Sequence, residues 1–218
     1  TSYDLDPSLF SDPGNYSVTI TIIYGSFKKE YSSWIDVKPY IPMKVTITGP
    51  YEATDGYTGI FHASVSGGYG PYAIGWDISG EHSHIFSGST VSFTFGNYDF
   101  GYSIEAWAID AYGAVNSSSM TTYIVQNLTP SFTAEYQQLD SGMTDVFNGT
   151  TYSGFDQTGV GPYYYSWYEN GNLFATGENS SYQFDTPGTY NITLIVKDSE
   201  NITASYSQNI KVNPRLTL

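Results

Sequence analysis

The 218-residue sequence predicts an all-β fold in which sandwich domains stand in tandem behind a partial β segment. Three observations predict it: the composition, an alternation of apolar and polar residues, and a long internal repeat. Charged residues make up only 13% of the chain, whereas aromatic residues reach 17%. This composition is typical of short strands joined by turns, and its aromatic content favours a folded chain over a disordered one.

The charge balance and the missing cysteine exclude several classes of function. The formal net charge is −14, so a nucleic-acid backbone would be repelled. An acidic exterior would suit this balance, because protonation of Asp and Glu relieves their repulsion. Without cysteine, neither a disulfide framework nor a thiolate metal site forms. No apolar run approaches the length of a membrane span, and no leader opens the chain, so a secreted form would begin at Thr1 after a removed signal.

The internal repeat sets the domain size. Gly-Pro-Tyr at positions 70–72 is followed by Trp76, and Gly-Pro-Tyr at positions 161–163 is followed by Trp167, 91 positions later. This spacing is the size of one β-sandwich domain. The repeat therefore predicts complete domains at residues 41–126 and 127–218.

Apolar residues alternate with polar ones inside each copy, which places one side of each strand in a core. Segment 102–110 shows this pattern and recurs as segment 190–198, 88 positions later, with an aspartate at the end of both. We expect Asp110 and Asp198 to cap the turns that follow. The tryptophans match the buried tryptophan of immunoglobulin-like sandwiches. The predicted core motif is Trp76, Tyr102, Trp167 and Tyr190.

A third copy of the repeat is partial. Residues 8–20 align without gaps on residues 182–194, and residues 35–39 parallel residues 210–214. Residues 1–40 are therefore predicted to supply only the last three strands of a sandwich. Arg215 to Leu218 look like the start of a further one.

Two of these patterns carry a family resemblance. Gly-Pro-Tyr before a strand that ends in Trp76-Asp77, and Pro-Gly-x-Tyr before a strand that ends in Asp, resemble the PKD group of extracellular immunoglobulin-like domains. The resemblance covers residues 41–126 and 127–214. The sequences at 76–80 and 167–171 depart from the Trp-Asp-Phe-Gly-Asp-Gly of that group. The resemblance implies tandem immunoglobulin-like, PKD-like domains outside the cell.

The partial copy suggests assembly, because a three-stranded remnant cannot cover its own apolar face. Burial of each large apolar side chain contributes about 1.5–3 kcal/mol, which a partner sheet would supply. Residues 1–24 are predicted to include a strand donated head to tail to a neighbouring subunit, and repetition without closure builds a filament. Two alternatives stay open: residues 1–40 pack on the first domain, or the missing strands lie upstream. The candidate donor strand presents Tyr16, Val18, Ile20, Ile22 and Tyr24.

Asn-x-Ser/Thr sequons indicate a secreted glycoprotein with N-linked glycans, since seven of the twelve asparagines lie in this acceptor pattern. Sequon density, tyrosine richness, acidity and the lack of cysteine resemble subunits of archaeal cell-surface filaments, the glycosylated threads of thermoacidophiles. That resemblance implies a pilus-like homopolymer joined by donor-strand complementation. The predicted glycosylation sites are Asn15, Asn116, Asn127, Asn148, Asn179, Asn191 and Asn201.

No residue pattern predicts an enzyme or a cofactor site. His82 and His84 lack a third metal ligand, and the tripeptide 140–142 is a lone Asp-Ser-Gly where aspartic proteases need two. Calcium held by loop oxygens stays an alternative without ligand spacing to support it. Trp107 is the best candidate for an exposed carbohydrate-stacking ring. The predicted function is a structural filament subunit whose main partner is itself; the alternatives are an adhesin that binds glycans or cell surfaces, and an accessory part of a larger secreted protein.

Overall fold

The computed structural model describes residues 5–96, 101–153 and 156–215. The N-terminal segment contains a 3-10 turn (Pro7–Leu9) and strands β1 (Gly14–Tyr24) and β2 (Phe27–Val37). The first sandwich contains β3 (Lys44–Thr48), β4 (Glu52–Thr54), β5 (Thr58–Ser66), β6 (Ala73–Ser79), β7 (Ser83–Ser87), β8 (Thr90–Thr94), β9 (Tyr102–Ile109) and β10 (Val115–Val125). The second contains β11 (Ser131–Ala134), β12 (Gln138–Asp140), β13 (Met143–Thr150), β14 (Tyr152–Ser153), β15 (Asp156–Gln157), β16 (Tyr164–Glu169), β17 (Asn172–Thr176), β18 (Asn179–Phe184), β19 (Gly188–Lys197) and β20 (Thr203–Asn213).

The two sandwiches share one topology. In the first, a three-stranded sheet in the order β3-β5-β8 faces a five-stranded sheet in the order β4-β10-β9-β6-β7. In the second, β11-β13-β18 faces β12-β20-β19-β16-β17, so every strand of the first sandwich has a counterpart in the second. The small β14-β15 pair is an addition to the second sandwich. Within the described part of the chain no helix could cross a membrane.

A tryptophan lies at the centre of each core. Trp76 and Trp167 are fully buried on the equivalent strands β6 and β16. Their indole N–H groups donate to the backbone oxygens of Gly88 and Gly177, at 2.7 and 2.8 Å. A buried N–H without an acceptor would be costly, so these bonds permit full burial of the ring. Both tryptophans therefore occupy the interior positions predicted for them.

The chain turns from one sheet to the other at a tyrosine in each sandwich. Tyr190, at the start of β19, donates its hydroxyl to the backbone oxygen of Thr186 at 2.8 Å. Its ring meets Phe184 edge-on, with 4.8 Å between ring centroids, and Phe184 is fully buried. Tyr102 fills the matching position on β9 and bonds to the backbone of Gly96. This corner joins the last strand of the three-stranded sheet to the five-stranded sheet.

The described part of the N-terminal segment, residues 5–40, has two strands where the sequence predicts three for residues 1–40. Residues 8–10, which align on part of β18, lie in the 3-10 turn and its exit. The counterpart β18 extends because it pairs with β13 along six residues. Nothing equivalent to β13 is present beside residues 8–10 in the described part of the chain, so these residues have no ladder to join. The predicted donor segment also includes residues 1–4, which lie outside the described residues, as do residues 216–218 of the predicted further unit.

Matched core substitutions test the equivalence of β1 and β19. Leu194 is fully buried, whereas Ile20, at the same position of the repeat, is 61% exposed. In the separate, unassembled chain, Leu194→Ala should lower the free energy of unfolding by about 2–5 kcal/mol. Ile20→Ala should change it by less than about 0.5 kcal/mol, because little apolar contact is lost. Urea denaturation of both variants measures this, and equal losses would show that Ile20 is buried within a single chain.

Candidate interaction surface

Strands β1 and β2 form a hairpin with the register of the last hairpin of the second sandwich. Gly14 pairs with Val37 as Gly188 pairs with Val212, and the pairing continues residue by residue toward the turn. The repeat extends to the corner, because the hydroxyl of Tyr16 donates to the backbone oxygen of Asp12 at 2.7 Å. Segment 10–37 is therefore built as the end of an immunoglobulin-like sandwich.

One side of this hairpin is apolar and uncovered. Ile20 and Ile22 are 61% and 50% exposed, whereas their counterparts Leu194 and Val196 are fully buried. On β2, Tyr31 is also exposed, and Lys29 lies over its ring at 5.0 Å. We call this side the core-side face; it comprises Tyr16, Val18, Ile20, Ile22, Tyr24, Phe27, Lys29, Tyr31, Ser33, Ile35 and Val37.

The opposite side of the hairpin is mostly polar. The hydroxyl groups of Thr19 and Ser32 share a hydrogen bond of 2.8 Å across the strands. Lys28 and Glu30 form an ion pair at 2.6 Å on the solvent side, where both side chains are largely exposed. Ile23 and Trp34 are the apolar exceptions on this side. A polar outer side and an apolar inner side are what a sheet has when a second sheet covers one of its faces.

Both edges of the hairpin are also unpaired. In the described residues β1 and β2 bond only to each other, while β19 and β20 each have a further strand on the outside. An isolated two-stranded sheet is marginally stable in water, and an open edge is a template for another strand. The hairpin therefore lacks both the sheet that would cover its face and the strands that would extend it.

The first sandwich does not cover this face. It forms hydrogen bonds with the linker, residues 38–43, where the hydroxyl of Tyr69 donates to the backbone oxygen of Pro39 at 2.7 Å. The backbone N–H of Gly68 donates to the oxygen of Ile41 at 3.3 Å. Ile20 and Ile22 stay exposed, so the first sandwich does not bury this part of the core-side face.

The two sandwiches meet through a carboxylate. The backbone N–H of Thr54, in the first sandwich, donates to Oε1 of Glu200 in the second at 3.2 Å, and the Thr54 hydroxyl donates to Oε2 at 2.5 Å. Burial raises the pKa of Glu200 above its ordinary value, and the nearby Asp198 adds to this, although the bonds from Thr54 oppose it. The sequence did not single out Glu200, because its partner lies 146 positions away.

The repeated aspartates hold the turns that follow β9 and β19. Oδ1 of Asp110 accepts the N–H groups of Tyr112 and Ala114, both at 2.9 Å. Oδ1 of Asp198 accepts the N–H groups two and four residues further on, both at 3.0 Å. Burial acts to raise the pKa of Asp110, but its backbone donors outweigh burial and hold the pKa below its ordinary value. Both aspartates therefore cap turns, as the sequence predicts. The hairpin has Tyr24 at this position and closes instead through Gly25.

All seven sequon asparagines lie at the surface. Each has an exposed side chain, including the four within strands β1, β10, β13 and β19 and the one at the start of β18. Asn15 is on the polar side of the hairpin, and Asn148 and Asn179 are directly paired across β13 and β18. Glycans at these positions would not enter either core.

The other candidate residues do not form a chemical site. His82 and His84 are exposed, and the described residues contain no group of three or more His, Asp or Glu side chains placed to hold a metal ion. Trp107 is half-buried, and its ring covers Gly75 on the neighbouring strand so closely that a Cβ there would lie 2.3 Å from it. Its ring face is thus partly occupied by its own sheet.

A buried carboxylate gives the second sandwich a dependence on pH. Asp145 on β13 is fully buried; its Oδ1 accepts the N–H groups of Tyr136 and Val146, at 3.0 and 2.8 Å. Its Oδ2 has no partner. Burial raises the pKa of Asp145 despite these two donors. The folded state therefore binds this proton more tightly than the unfolded state does.

Substitution of Asp145 tests this sign. With a raised folded-state pKa, the contribution of Asp145 to stability is fully present below its ordinary pKa of 3.8 and is lost as pH rises through the folded-state value. Asp145→Asn cannot ionise, so its thermal midpoint should rise relative to that of the parent protein as pH increases from 3 toward 7, because only the parent protein then carries the cost of a buried charge. The exposed Asp185→Asn is the control and should show no such trend. A constant difference for Asp145→Asn across this range would contradict the burial of its charge.

Comparison with known proteins identifies the fold of this chain but not a family to which it belongs. No family model and no curated protein matches the sequence. Among solved structures, three N-terminal domains of the bacteriophage RB49 highly immunogenic outer capsid protein (Hoc) superpose with a TM-score of 0.53 at 16% identity, covering 78% of this chain. The chain spans 59% of that structure's length.

Two further structures are more distant. A Dscam structure that addresses isoform specificity matches with a TM-score of 0.36 at 12% identity, covering 85% of this chain and 51% of the Dscam chain. The complex of Dpr2 Ig1-Ig2 with DIP-Theta Ig1-Ig3 matches with a TM-score of 0.34 at 13% identity, covering 92% of this chain and 73% of that one.

These findings define the class of the protein. The strand order and the superposition on the Hoc domains show an all-β protein of tandem immunoglobulin-like sandwich domains, which confirms the predicted fold class. The PKD resemblance rests on the quoted residues alone, because no family model matches. The feature that sets this chain apart from a simple pair of sandwiches is the uncovered hairpin.

Proposed function

We propose that the protein is a structural subunit of a glycosylated extracellular filament, in which the hairpin of one subunit completes an immunoglobulin-like sandwich contributed by the next. The observation that carries this proposal is the core-side face, where Ile20 and Ile22 are exposed at positions that both complete sandwiches bury. Contact of this kind is head to tail, because donor and acceptor surfaces differ. Repetition of a head-to-tail contact that does not close builds a polymer.

The free energy available for this contact is substantial. Burial of each large apolar side chain contributes about 1.5–3 kcal/mol, and the core-side face presents several of them together. Strand pairing along the open edges would add backbone hydrogen bonds to this burial. A contiguous exposed apolar face is typical of a protein interaction site.

The exposed sequons and two carboxylates with raised pKa values support a location outside the cell. The seven exposed sequons would carry N-linked glycans in a secreted protein. Asp145 and Glu200 both have raised pKa values and become neutral on acidification, which suits an acidic exterior. The resemblance to the glycosylated threads of thermoacidophilic archaea agrees with these features. We place the subunit at the cell surface on this basis.

A carbohydrate-binding adhesin is the second candidate, because exposed aromatic pairs would favour it. Tyr51 and Tyr123 are such a pair, but their rings meet edge-on at 64°, with centroids 5.2 Å apart. A sugar stacks best on a flat ring face, which this arrangement does not extend over two rings. The geometry therefore supports the structural role better than the adhesin.

Two isoleucines of β1 provide a matched test of assembly in the full-length protein. Ile20→Asp places a charge on the core-side face, so filaments should be lost, because burial of an unpaired carboxylate is strongly unfavourable. Ile23→Asp changes the same residue type on the polar side, where Ile23 is 69% exposed, and filaments should persist. Negative-stain microscopy and sedimentation of both variants measure the outcome.

The expected result is monomers for Ile20→Asp and polymers for Ile23→Asp. Deletion of residues 1–24 should have the same effect as Ile20→Asp. Filaments that survive both Ile20→Asp and the deletion would overturn assembly through the hairpin, and monomers in the unmodified protein would overturn the filament itself.

Glycosylation can be tested on material from the natural host. Glycopeptide mapping by mass spectrometry should find hexose-containing adducts at sequon asparagines such as Asn148 and Asn179, since their side chains are exposed. Asn209, exposed but outside a sequon, is the internal control and should stay unmodified. Unmodified peptides at all seven sequons would contradict the glycoprotein assignment.

A further inference from the structure

We propose that β1 and β2 are the last two strands of a third immunoglobulin-like sandwich, completed by a partner strand that bears tryptophan and pairs antiparallel with β1, opposite Ile20. The claim that the completing strands belong to another molecule rests on the function proposed above. The type of strand, one that bears a tryptophan, is inferred from the two complete sandwiches alone. The proposal thus names the partner as an immunoglobulin-like unit that lacks its own last hairpin.

The register of the two complete sandwiches places the tryptophan. In the first sandwich Trp76 pairs with Ala106 of β9, and in the second Trp167 pairs with Leu194 of β19. Ala106 and Leu194 are both fully buried and occupy the same position of the repeat. That position in the hairpin is Ile20, which is exposed and, among the described residues, has a strand only on its β2 side. Both repeats therefore point to a tryptophan across from Ile20.

The two complete sandwiches also predict which strand should pair with the other edge of the hairpin, at the end of β2. The short strands β4 and β12 run parallel to the ends of β10 and β20, pairing with Tyr123–Val125 and Lys211–Asn213. The matching edge of the hairpin is residues 36–38, at the end of β2 and just beyond it. A three-residue parallel strand is expected there, so the partner contributes to both edges.

The corner before β1 shows that a second sheet must face the hairpin. Phe10 meets the ring of Tyr16 edge-on at 5.1 Å, as Phe184 meets Tyr190. In the second sandwich that phenylalanine is the last residue of β18, in the three-stranded sheet, and it is fully buried. Phe10 is only half-buried, so the sheet it would join is missing beside it. A second copy of the hairpin packed face to face would supply neither that sheet nor the edge strands.

The two described sandwiches are not free acceptors. Each already contains its own last hairpin, formed by β9 with β10 and by β19 with β20. A neighbouring copy would have to expel one of these hairpins to accept β1 and β2 there. The acceptor is therefore an incomplete immunoglobulin-like unit outside residues 5–215.

Photo-cross-linking at position 20 of the full-length protein tests this partner. Ile20 is replaced by a diazirine analogue of leucine, which is close to it in size, and the assembled material is irradiated and mapped by tandem mass spectrometry. The matched control carries the same analogue in place of Ile23, on the polar side of the strand. The variant with the analogue at position 20 should cross-link to a strand in which tryptophan follows a Gly-Pro-Tyr-like turn. The variant with the analogue at position 23 should not cross-link to that strand.

The outcomes separate this inference from the proposed function. A cross-link to such a strand in another chain supports both the tryptophan-bearing partner strand and the proposed filament. The same cross-link within one chain supports the partner strand but contradicts assembly between chains through the hairpin. A cross-link to β1 or β2 of a second copy, in material that still polymerises, overturns the inference and leaves the filament. Absence of any cross-link to a tryptophan-bearing strand overturns the inference in every case.

Discussion

The requirement that a β-sheet bury one face against a second sheet governs this protein. Each complete sandwich meets it with a three-stranded sheet over a five-stranded one, around a buried tryptophan. The N-terminal hairpin has the same register, the same tyrosine corner and the same apolar side, but no opposing sheet in the described residues. An isolated hairpin is marginally stable, and a second sheet would stabilise it, because burial of apolar area is the main favourable term in folding.

Several carboxylates outside the hairpin stabilise the fold. Carboxylates that could be taken for catalytic groups serve the fold: Asp110 and Asp198 hold turns, and Glu200 joins the two sandwiches through Thr54. The sequon asparagines are exposed and leave the core-side face free, because Asn15 lies on the other side of the hairpin. The polar surfaces are thus available to glycans while the apolar one is available to a partner chain.

The sequence was sufficient for the features that depend on local pattern and on the repeat. Alternation located β9 and β19, at segments 102–110 and 190–198, and the repeat located Trp76, Trp167 and the capping aspartates. It was wrong about a third strand at residues 8–10, because a strand needs a neighbour to bond with and alignment alone does not provide one. Glu200 and Asp145 were missed since their environments arise from contacts with distant strands or from burial, which a single sequence does not show.

The most direct test of this account is a cryo-electron microscopy map of the assembled protein at a resolution that traces side chains. The account predicts a strand antiparallel to β1, with an indole packed against Ile20 and a second sheet over the core-side face. A map in which Ile20 and Ile22 face solvent within the polymer would contradict it.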